Sequence, residues 1–309
     1  MDFLEAIRNS TIKADDDSPL VKFPVKISDK NYHEIAKNSS NKFCFIDGGN
    51  SEIINSNNLS YQLIRVGAVI FSDKFESQVR EDYKLLITLK DNKVKAVTQP
   101  EKINLEFDMN DESLKDGKSL AKISKVGGFI RRILELDLAF RMAPKADAII
   151  LDGSLEEKFT YEKDYLQKIY DLDKTVIGFC KTNSLLTVNG KSLSAVLDKE
   201  GSWYYNPITT KNLGFDIFMV KLHEKSHHVF RVDLKGSPEI FSSLINQCND
   251  GVFIGYPYGL VLVDRVARIT NKEKEFEKTR LMVQLGDDWK KVRSLMASQD
   301  AHEILDNIG

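Results

Sequence analysis

The spacing of apolar and polar residues along the chain predicts an α/β fold. Apolar segments typical of strands occur at 43–47, 60–72, 83–91, 148–155 and 175–181, and alternating segments at 215–223 and 228–235 predict a hairpin. Helical spacing occurs at 2–9, 119–143, 161–173, 237–250 and 255–270, and a charged, helix-favouring segment begins at 272. Residues 92–118 are polar and charged, so we expect a loop or excursion there.

The order of these elements predicts a mixed sheet. The first three strands follow one another directly and suit antiparallel pairing, whereas the strand–helix–strand unit at 148–181 is long enough for a parallel crossover. A mixed sheet flanked by helices, with helical extensions at both ends, fits a ribonuclease H-like α/β fold. A doubly wound Rossmann sheet fits less well, because no GxGxxG motif follows the first strand.

The same pattern predicts three segments. An N-terminal helix and linker occupies 1–40, a single α/β domain occupies 41–270, and a C-terminal helical arm occupies 271–309. The helical ends, at 1–12 and 272–300, are candidates for contacts with other proteins.

Two aspartates share one setting in the predicted sheet. Asp47 closes the apolar run FCFI and precedes two glycines, and Asp152 closes AIIL and precedes Gly153. A buried strand that ends in Asp-Gly delivers its carboxylate to the sheet edge, where backbone can approach a ligand closely. If the two strands are neighbours, both carboxylates converge on one point. Each aspartate alone could equally cap a turn.

A pair of converging carboxylates favours a metal site. Two bare carboxylates a few ångströms apart repel one another, and a divalent cation relieves that repulsion. Ligation by oxygen alone suits Mg²⁺ or Mn²⁺ rather than zinc. Two such ions, ~3.5–4 Å apart, can activate water and stabilise the departing oxygen of a phosphodiester.

Other residues carry candidate chemistry with less specific patterns. Glu135 lies at the edge of the apolar stripe of the helix 119–143, where Asp137 competes for the same role and either acid could face solvent. Lys181, at a strand end, could neutralise a phosphate or be an ordinary exposed lysine. Asp264 interrupts the apolar run LVLV, eight residues after Tyr256, and an acid there needs a partner.

Composition and charge limit the classes of partner. The 309 residues include 44 basic and 46 acidic side chains, for a net charge of −2, whereas a protein that grips many phosphates is usually basic. A DNA partner therefore requires a local groove, bound metal ions or a second protein to supply positive charge. His227 and His228 suit an exposed hairpin tip.

The remaining bulk features favour the cytoplasm. No segment approaches the ~18 consecutive apolar residues of a membrane span, and the N-terminus lacks the apolar stretch of a secretory signal. Three scattered cysteines are too few for a disulfide framework, and Cys44 and Cys180 suit the core.

Five motifs in a fixed order resemble one known family. FIDGGNS, ILDGSL, GFCKTN, HVFRVDL and GYPYGLVLVD are similar to motifs of the NurA nucleases of DNA end processing, over residues 40 to 270. The resemblance implies a ribonuclease H-like fold, a homodimer and a preference for Mn²⁺. It implies 5′-to-3′ exonuclease activity on single- and double-stranded DNA, and endonuclease activity on single strands. The implied partners in resecting broken ends are the hexameric ATPase HerA and the Mre11–Rad50 complex.

The resemblance also implies roles for individual residues. It implies metal ligands at Asp47 and Asp152, and the acidic helix residue of the family at Glu135. Tyr256 matches the active-site tyrosine, and Lys181 matches a GxxK element near the site. At one further ligand position some members have histidine, where this chain has Asp264, and an aspartate there can still ligate metal or act as a base.

Two rival functions remain open at the level of sequence. FIDGGN also resembles the first phosphate loop of actin-like ATPases, but DGSL, with its single glycine before Ser154, is a poor second phosphate loop. The other rival is a non-catalytic DNA-binding or adaptor subunit, for which the aspartate at 264 leaves room and against which the acids at 47 and 152 argue.

Overall fold

The computed structural model describes residues 17–37, 41–116, 119–120, 123–182, 184–209 and 214–296. Its strands are β1 (Tyr32–Glu34), β2 (Phe43–Asn55), β3 (Leu59–Phe71), β4 (Phe75–Lys90), β5 (Lys93–Gln99), β6 (Asn104–Asp108), β7 (Lys115–Asp116), β8 (Ser119–Leu120), β9 (Ala148–Asp152), β10 (Thr175–Cys180), β11 (Trp203–Tyr205), β12 (Asp216–Lys221) and β13 (Phe230–Lys235). Its helices are α1 (Val126–Met142), α2 (Lys163–Tyr170), α3 (Leu193–Val196), α4 (Phe241–Leu244), α5 (Tyr258–Ala267) and α6 (Asn271–Leu285).

Within the described ranges, eleven strands form one mixed sheet, in the order β1-β11-β12-β13-β10-β9-β2-β3-β4-β5-β6. The two central pairings, β2 with β9 and β9 with β10, are parallel, and the other pairings within the sheet are antiparallel. The predicted mixed α/β sheet is therefore confirmed, with the parallel crossover at its centre.

Helices cover both faces of the sheet and bury two apolar layers. On β2, Ile46 faces the layer that contains Ile130 and Ile133 of α1. Its neighbour Phe45 faces the other layer, which contains Leu260 of α5. This alternation follows from the two-residue period of a strand.

The segment 92–118, expected to be a loop or excursion, instead contributes β5 and β6. Val94 and Ala96 on β5 and Phe107 on β6 are buried, while their neighbours in sequence Lys95 and Glu106 are charged and exposed. These charges give the segment its polar composition and conceal a period of two.

The central strand β2 is also longer than expected. The apolar run that predicts a strand ends at Asp47, but β2 continues to Asn55 because its second half pairs with β3, with Gly48 opposite Val66. Asp47 therefore lies inside a strand, at the point where the parallel neighbour β9 ends.

The terminal segments are only partly described. The helix predicted at 2–9 lies outside the described residues, and the predicted domain boundaries stay predictions. Residues of β1 pair with β11 at one edge of the sheet, and α6 extends the chain beyond α5. Across the described ranges, no helix has the length and apolarity needed to cross a membrane.

Candidate active site

The central parallel strands bring Asp47 and Asp152 to neighbouring positions. The register of β2 and β9 pairs Ile46 with Leu151, so the next residue along each strand is one of the two aspartates. Both aspartates face the same side as Phe45, which packs in the α5-side layer. The two carboxylates therefore lie side by side on the α5-facing side of the sheet, at the point where β9 ends.

Burial and like charge act together on Asp47. The side chain is 7% exposed, and its Oδ1 accepts a hydrogen bond of 2.8 Å from the backbone N–H of Gly48. Burial, followed by the charges of Asp152 and Glu135, raises the pKa of Asp47 to about 7, against the opposing effects of Lys181 and the Gly48 N–H. A cation in addition to Lys181 is needed to keep the Asp47 carboxyl fully ionised at neutral pH.

Lys181 supplies a positive charge at the mouth of the site. It follows directly after β10, and its Nζ lies 2.5 Å from Asp152 Oδ2 and 3.9 Å from Asp264 Oδ1. Burial alone would lower the pKa of Lys181, but the hydrogen bond and charge of Asp152 and the charges of Asp47 and Asp264 raise it. The ammonium group therefore stays protonated between two acids.

Glu135 reaches the site from the opposite face, past Gly48. A Cβ added at Gly48 would lie 2.5 Å from Glu135 Oε1, so only glycine leaves room for this carboxylate. Glu135 is 3% exposed, with Arg131 Nε at 3.4 Å, and its Oε1 has no hydrogen-bond partner within the described part of the chain. Burial raises the pKa of Glu135 and Asp152 adds to the rise, while Arg131 and Arg132 oppose it.

Asp137, the competitor of Glu135, lies elsewhere. Its Oδ2 is 2.9 Å from Arg141 Nε and 3.1 Å from Lys102 Nζ, so Asp137 is ion-paired with two basic residues away from Asp47. Of the two helix acids, Glu135 is therefore the one beside Asp47.

The two arginines of the segment RRILEL, whose form RRxxEL is part of the family resemblance at Glu135, hold the backbone beside the aspartates. Arg131 Nη1 donates to the carbonyl of Gly48 at 2.7 Å, and Arg132 Nη2 donates to the carbonyl of Ser154 at 2.6 Å. They precede Glu135 by four and three residues, a spacing that places all three side chains on one side of α1. That spacing was the available signal.

The turn after Asp152 is fixed by a buried carboxylate on β13. Asp233 is fully buried and accepts hydrogen bonds from Ser154 Oγ at 2.8 Å, from the Leu155 N–H at 2.9 Å and from Arg231 Nε at 2.7 Å. This residue was not predictable from the alternation in FRVDLK, because a period of two places Asp233 on the polar face with Arg231 and Lys235. Asp233 therefore positions the strand end that carries Asp152.

Tyr256 lies over the site with its hydroxyl turned inward. Its ring packs edge-on against Phe179 at 5.5 Å and near Phe230 at 5.8 Å, and Lys181 Nζ is 6.0 Å from its centroid. The hydroxyl is buried with no hydrogen-bond partner among the residues the structure describes. Burial, followed by the charges of the site's three aspartates, raises the pKa of Tyr256, so the hydroxyl is a neutral donor.

Asp264 projects from α5 at the exposed side of the group. Its side chain is 56% exposed, and Lys181 is its neighbour at 3.9 Å. The position of α5 depends on close approach to the sheet at glycines. A Cβ at Gly259 would lie 2.1 Å from the ring of Phe45, and a Cβ at Gly67 would lie 2.9 Å from the α5 side chain above it.

The donor types of this group fit a hard divalent cation, although the arrangement is open. No three Asp, Glu, His or Cys side chains in the described ranges converge closely enough to hold a metal ion as they stand. Lys181 lies against Asp152 instead. The donors are all carboxylates. Glu135 has a buried oxygen with no hydrogen-bond partner among the described residues, and Asp47 has a raised pKa. Carboxylate oxygens are ligands for Mg²⁺ or Mn²⁺.

Comparison with known proteins identifies the fold. No protein-family model matches the sequence, and no curated protein is significantly similar to it. The mixed α/β sheet is shared with solved nuclease structures. One is the NurA nuclease from Sulfolobus solfataricus, 18% identical, with a TM-score of 0.53 over 85% of this chain and 90% of that chain.

A second similar structure is described as NurA with manganese. It is 10% identical, with a TM-score of 0.50 over 83% of this chain and 92% of that chain. The NurA-like fold predicted from the motifs is therefore confirmed, and at these identities the likeness concerns the fold.

Proposed function

We propose that this chain is a divalent-metal-dependent DNA nuclease that hydrolyses phosphodiester bonds. The grouping of Asp47, Asp152 and Glu135 at the central parallel strands, with Lys181 between two acids, carries the proposal. The NurA-like fold adds support, because both similar structures are of NurA and one of them is described with manganese.

The acids of the group would hold the cation. Bound Mn²⁺ or Mg²⁺, as one or two ions held by Asp47, Asp152, Glu135 and Asp264, would supply Lewis-acid polarisation and lower the pKa of bound water. Because Asp47 and Glu135 both have raised pKa values without a cation, a divalent ion is the counter-charge that would keep them ionised.

The chain's own donors would orient the phosphate. The ammonium of Lys181 is protonated and partly exposed, so it can donate to a non-bridging phosphate oxygen. The neutral hydroxyl of Tyr256, whose ring centroid lies 6.0 Å from Lys181 Nζ, would be a second donor. Arg131, Arg132 and Asp233 act through the backbone next to the aspartates and are positioning residues.

The finer activity follows from the motif resemblance. The proposal includes 5′-to-3′ exonuclease activity on single- and double-stranded DNA, endonuclease activity on single strands, and action as a cytoplasmic homodimer with a HerA-type hexameric ATPase, and with Mre11–Rad50, in end resection. A net charge of −2 supports such a partnership, because a motor that feeds DNA replaces bulk electrostatic attraction.

Cleavage of end-labelled DNA tests the proposal. Purified chain with Mn²⁺ or Mg²⁺ should shorten single- and double-stranded substrates, and EDTA should stop the reaction. Asp47→Ala and Asp152→Ala should each lower the rate by at least about a hundredfold, because each removes a ligand of the cation.

A matched pair of variants on α1 provides the control. Glu135→Gln should lose activity to a similar extent, whereas Asp137→Asn, two residues away and paired with Arg141, should keep the wild-type rate. DNA binding without cleavage under any metal would support the adaptor alternative. ATP turnover without DNA cleavage would support the ATPase alternative. Either result contradicts the nuclease.

A further inference from the structure

A cleft of about 580 Å³ opens directly from the candidate active site. Lys181, Tyr256 and Asp264 form its inner end. Two loops form its walls, the loop 222–229 between β12 and β13 and the loop 250–257 before α5. Anything that occupies the cleft therefore meets the candidate catalytic residues at one end.

The two walls are packed against each other. Ser226, on the β12–β13 loop, is 4% exposed, and its Oγ accepts a hydrogen bond of 3.1 Å from the His228 N–H. Gly255, on the other loop, has a φ of +84°, and a Cβ there would lie 2.5 Å from the Ser226 Oγ. The close approach of the two loops thus requires glycine and fixes the base of the cleft.

The loop 250–257, one wall of the cleft, presents apolar side chains to solvent. The Asp250 carboxylate accepts hydrogen bonds from the N–H groups of Val252 at 3.0 Å and Phe253 at 3.1 Å, and the Phe253 carbonyl accepts from the Tyr256 N–H at 2.9 Å. Phe253 is held in this turn with 43% of its surface exposed, and Val252 with 82%. An exposed aromatic ring on a constrained turn is available for stacking.

The loop 222–229, the other wall of the cleft, carries a lysine and two histidines. Lys225, His227 and His228 line the cleft beside Lys181, and Asp264 is the acid among its lining residues. Their loop is exposed at all three positions. Lys225 and Lys181 supply positive charge next to an exposed aromatic ring, the combination by which proteins bind single-stranded nucleic acid.

We propose that this cleft holds the single DNA strand on one side of the scissile phosphate, with Phe253 stacked on a base and Lys225 paired with a phosphate. The proposal rests on the proposed nuclease function of the adjoining site. A single strand fits better than a duplex, because stacking needs an unpaired base and the cleft has the volume of a small-molecule site. Continuity with Lys181 and Asp264 favours nucleic acid over other anionic partners.

Binding of a fluorescently labelled oligothymidine, followed by anisotropy, tests the proposal without cleavage. One series contains EDTA and a parallel series contains Ca²⁺. Phe253→Ala should weaken binding about tenfold through loss of one stacked base. Lys225→Ala should reduce the slope of log Kd against log salt concentration by about 0.7, the value for one phosphate contact on a single strand.

Matched controls separate these effects from general surface changes. Phe140→Ala removes a phenylalanine of nearly equal exposure, 42%, from α1, and Lys93→Ala removes an exposed lysine from β5, far along the sheet. Both should bind as the wild type does. Thermal unfolding of every variant checks that the fold is kept.

An abasic scan tests the stacking directly. Removing one base at a time from the oligonucleotide should identify a position at which wild type and Phe253→Ala bind equally, because the stacking partner is already absent. Binding by Phe253→Ala and Lys225→Ala that equals the controls overturns the proposal. Absence of wild-type binding in both series, or equal dependence on Phe253 for a blunt duplex, also overturns it.

The failures of the two proposals are distinguishable. If the wild type cleaves DNA and the cleft variants bind DNA as the wild type does, the nuclease proposal stands and the cleft proposal is overturned. Weakened binding by the cleft variants without metal-dependent cleavage by the wild type leaves the cleft as a strand-binding site and removes the nuclease.

Discussion

Two consecutive residues of β2 shape the candidate site from opposite faces. Asp47 faces α5, whereas Gly48 faces α1, where an added Cβ would lie 2.5 Å from Glu135 Oε1. Because successive strand residues point to opposite sides, the carboxylate of Glu135 comes near Asp47 only through the gap that Gly48 leaves. The charge of Glu135 on one face thereby adds to the rise in the pKa of Asp47 on the other, after burial and the charge of Asp152.

The raised pKa of Asp47 predicts a pH dependence of stability in EDTA. The pKa of Asp47 has its ordinary value of 3.8 in the unfolded chain and is about 7 in the folded protein. Between pH 3.8 and about 7 the native state therefore keeps a proton that the unfolded state has lost. The free energy of unfolding, relative to Asp47→Asn, should therefore fall as pH rises from about 4 to about 7 and level off above. By linkage the full change is on the order of 4 kcal/mol.

Urea unfolding at several pH values measures this difference. Asp108→Asn is the control, because a hydrogen bond from the Asn110 N–H lowers the pKa of Asp108 and its contribution has the opposite sign. A wild-type curve parallel to that of Asp47→Asn throughout this pH range contradicts the prediction.

Single residues were predictable where strand pattern and chemistry coincide. Asp47 and Asp152 each close an apolar run, and the structure places them side by side. The choice between Glu135 and Asp137 was not predictable from α1 alone, because it depends on Gly48 of β2, which has no side chain and leaves room for Glu135. His227 and His228 are exposed, as expected of a hairpin loop, but their position on the cleft depends on packing against a distant turn.

At the scale of elements, α6 is fixed to the sheet by a polar network at its first turn. Thr270 and Glu273 form a capping box, and Glu273 Oε1 lies 2.6 Å from Nη2 of the buried Arg65. The hydrogen bond from Arg65 lowers the pKa of Glu273 to about 2. Arg65 also donates from Nη1 to the Arg268 carbonyl, so one guanidinium joins β3 to the α5–α6 connection.

Removal of the cap should destabilise the chain. Thr270→Ala leaves the Glu273 N–H without its side-chain acceptor, at an expected cost of about 1 kcal/mol in the free energy of unfolding. Thr279→Ala, within the same helix, is the matched control and should be neutral or slightly stabilising, because alanine has the higher helix propensity. Urea unfolding measures both, and equal effects of the two variants would refute the role of the cap.

Element order was more predictable than element limits. The central strand–helix–strand unit follows the expected pattern from its buried apolar strands, and the β12–β13 hairpin follows it from the alternation of apolar and polar residues. β5 and β6 escaped prediction because each buries only one face and exposes charges on the other. The helix expected at 237–250 is divided into α4 and flanking 3₁₀ turns, an outcome that apolar spacing alone does not distinguish.

At the scale of the whole molecule, charge is balanced overall and uneven locally. The net charge is −2, yet two lysines, Lys181 and Lys225, and one acid, Asp264, line the cleft beside the candidate site. Long-range attraction of DNA by the isolated chain should be weak, and the proposed motor partner would deliver DNA to the site.

Association with a HerA-type hexameric ATPase is the corresponding prediction. The two proteins should elute together in size-exclusion chromatography at low salt, and the complex should persist at moderate salt. A ring-shaped ATPase of similar size and unrelated function is the control and should elute separately. Separate elution of chain and HerA-type hexamer at every salt concentration contradicts the partnership.

The distance in sequence between β2 and α5 has a consequence for synthesis. Asp47 leaves the ribosome early, β9 with Asp152 follows about a hundred residues later, and Asp264 comes last. At about 5–20 residues per second, roughly 10–40 s separate the first acid from the last. The antiparallel strands β2 to β6 can pair during this interval, since their contacts are local in sequence. A nascent or truncated chain that ends before α5 therefore lacks Tyr256 and Asp264, so the candidate group would be complete only after α5 has been made.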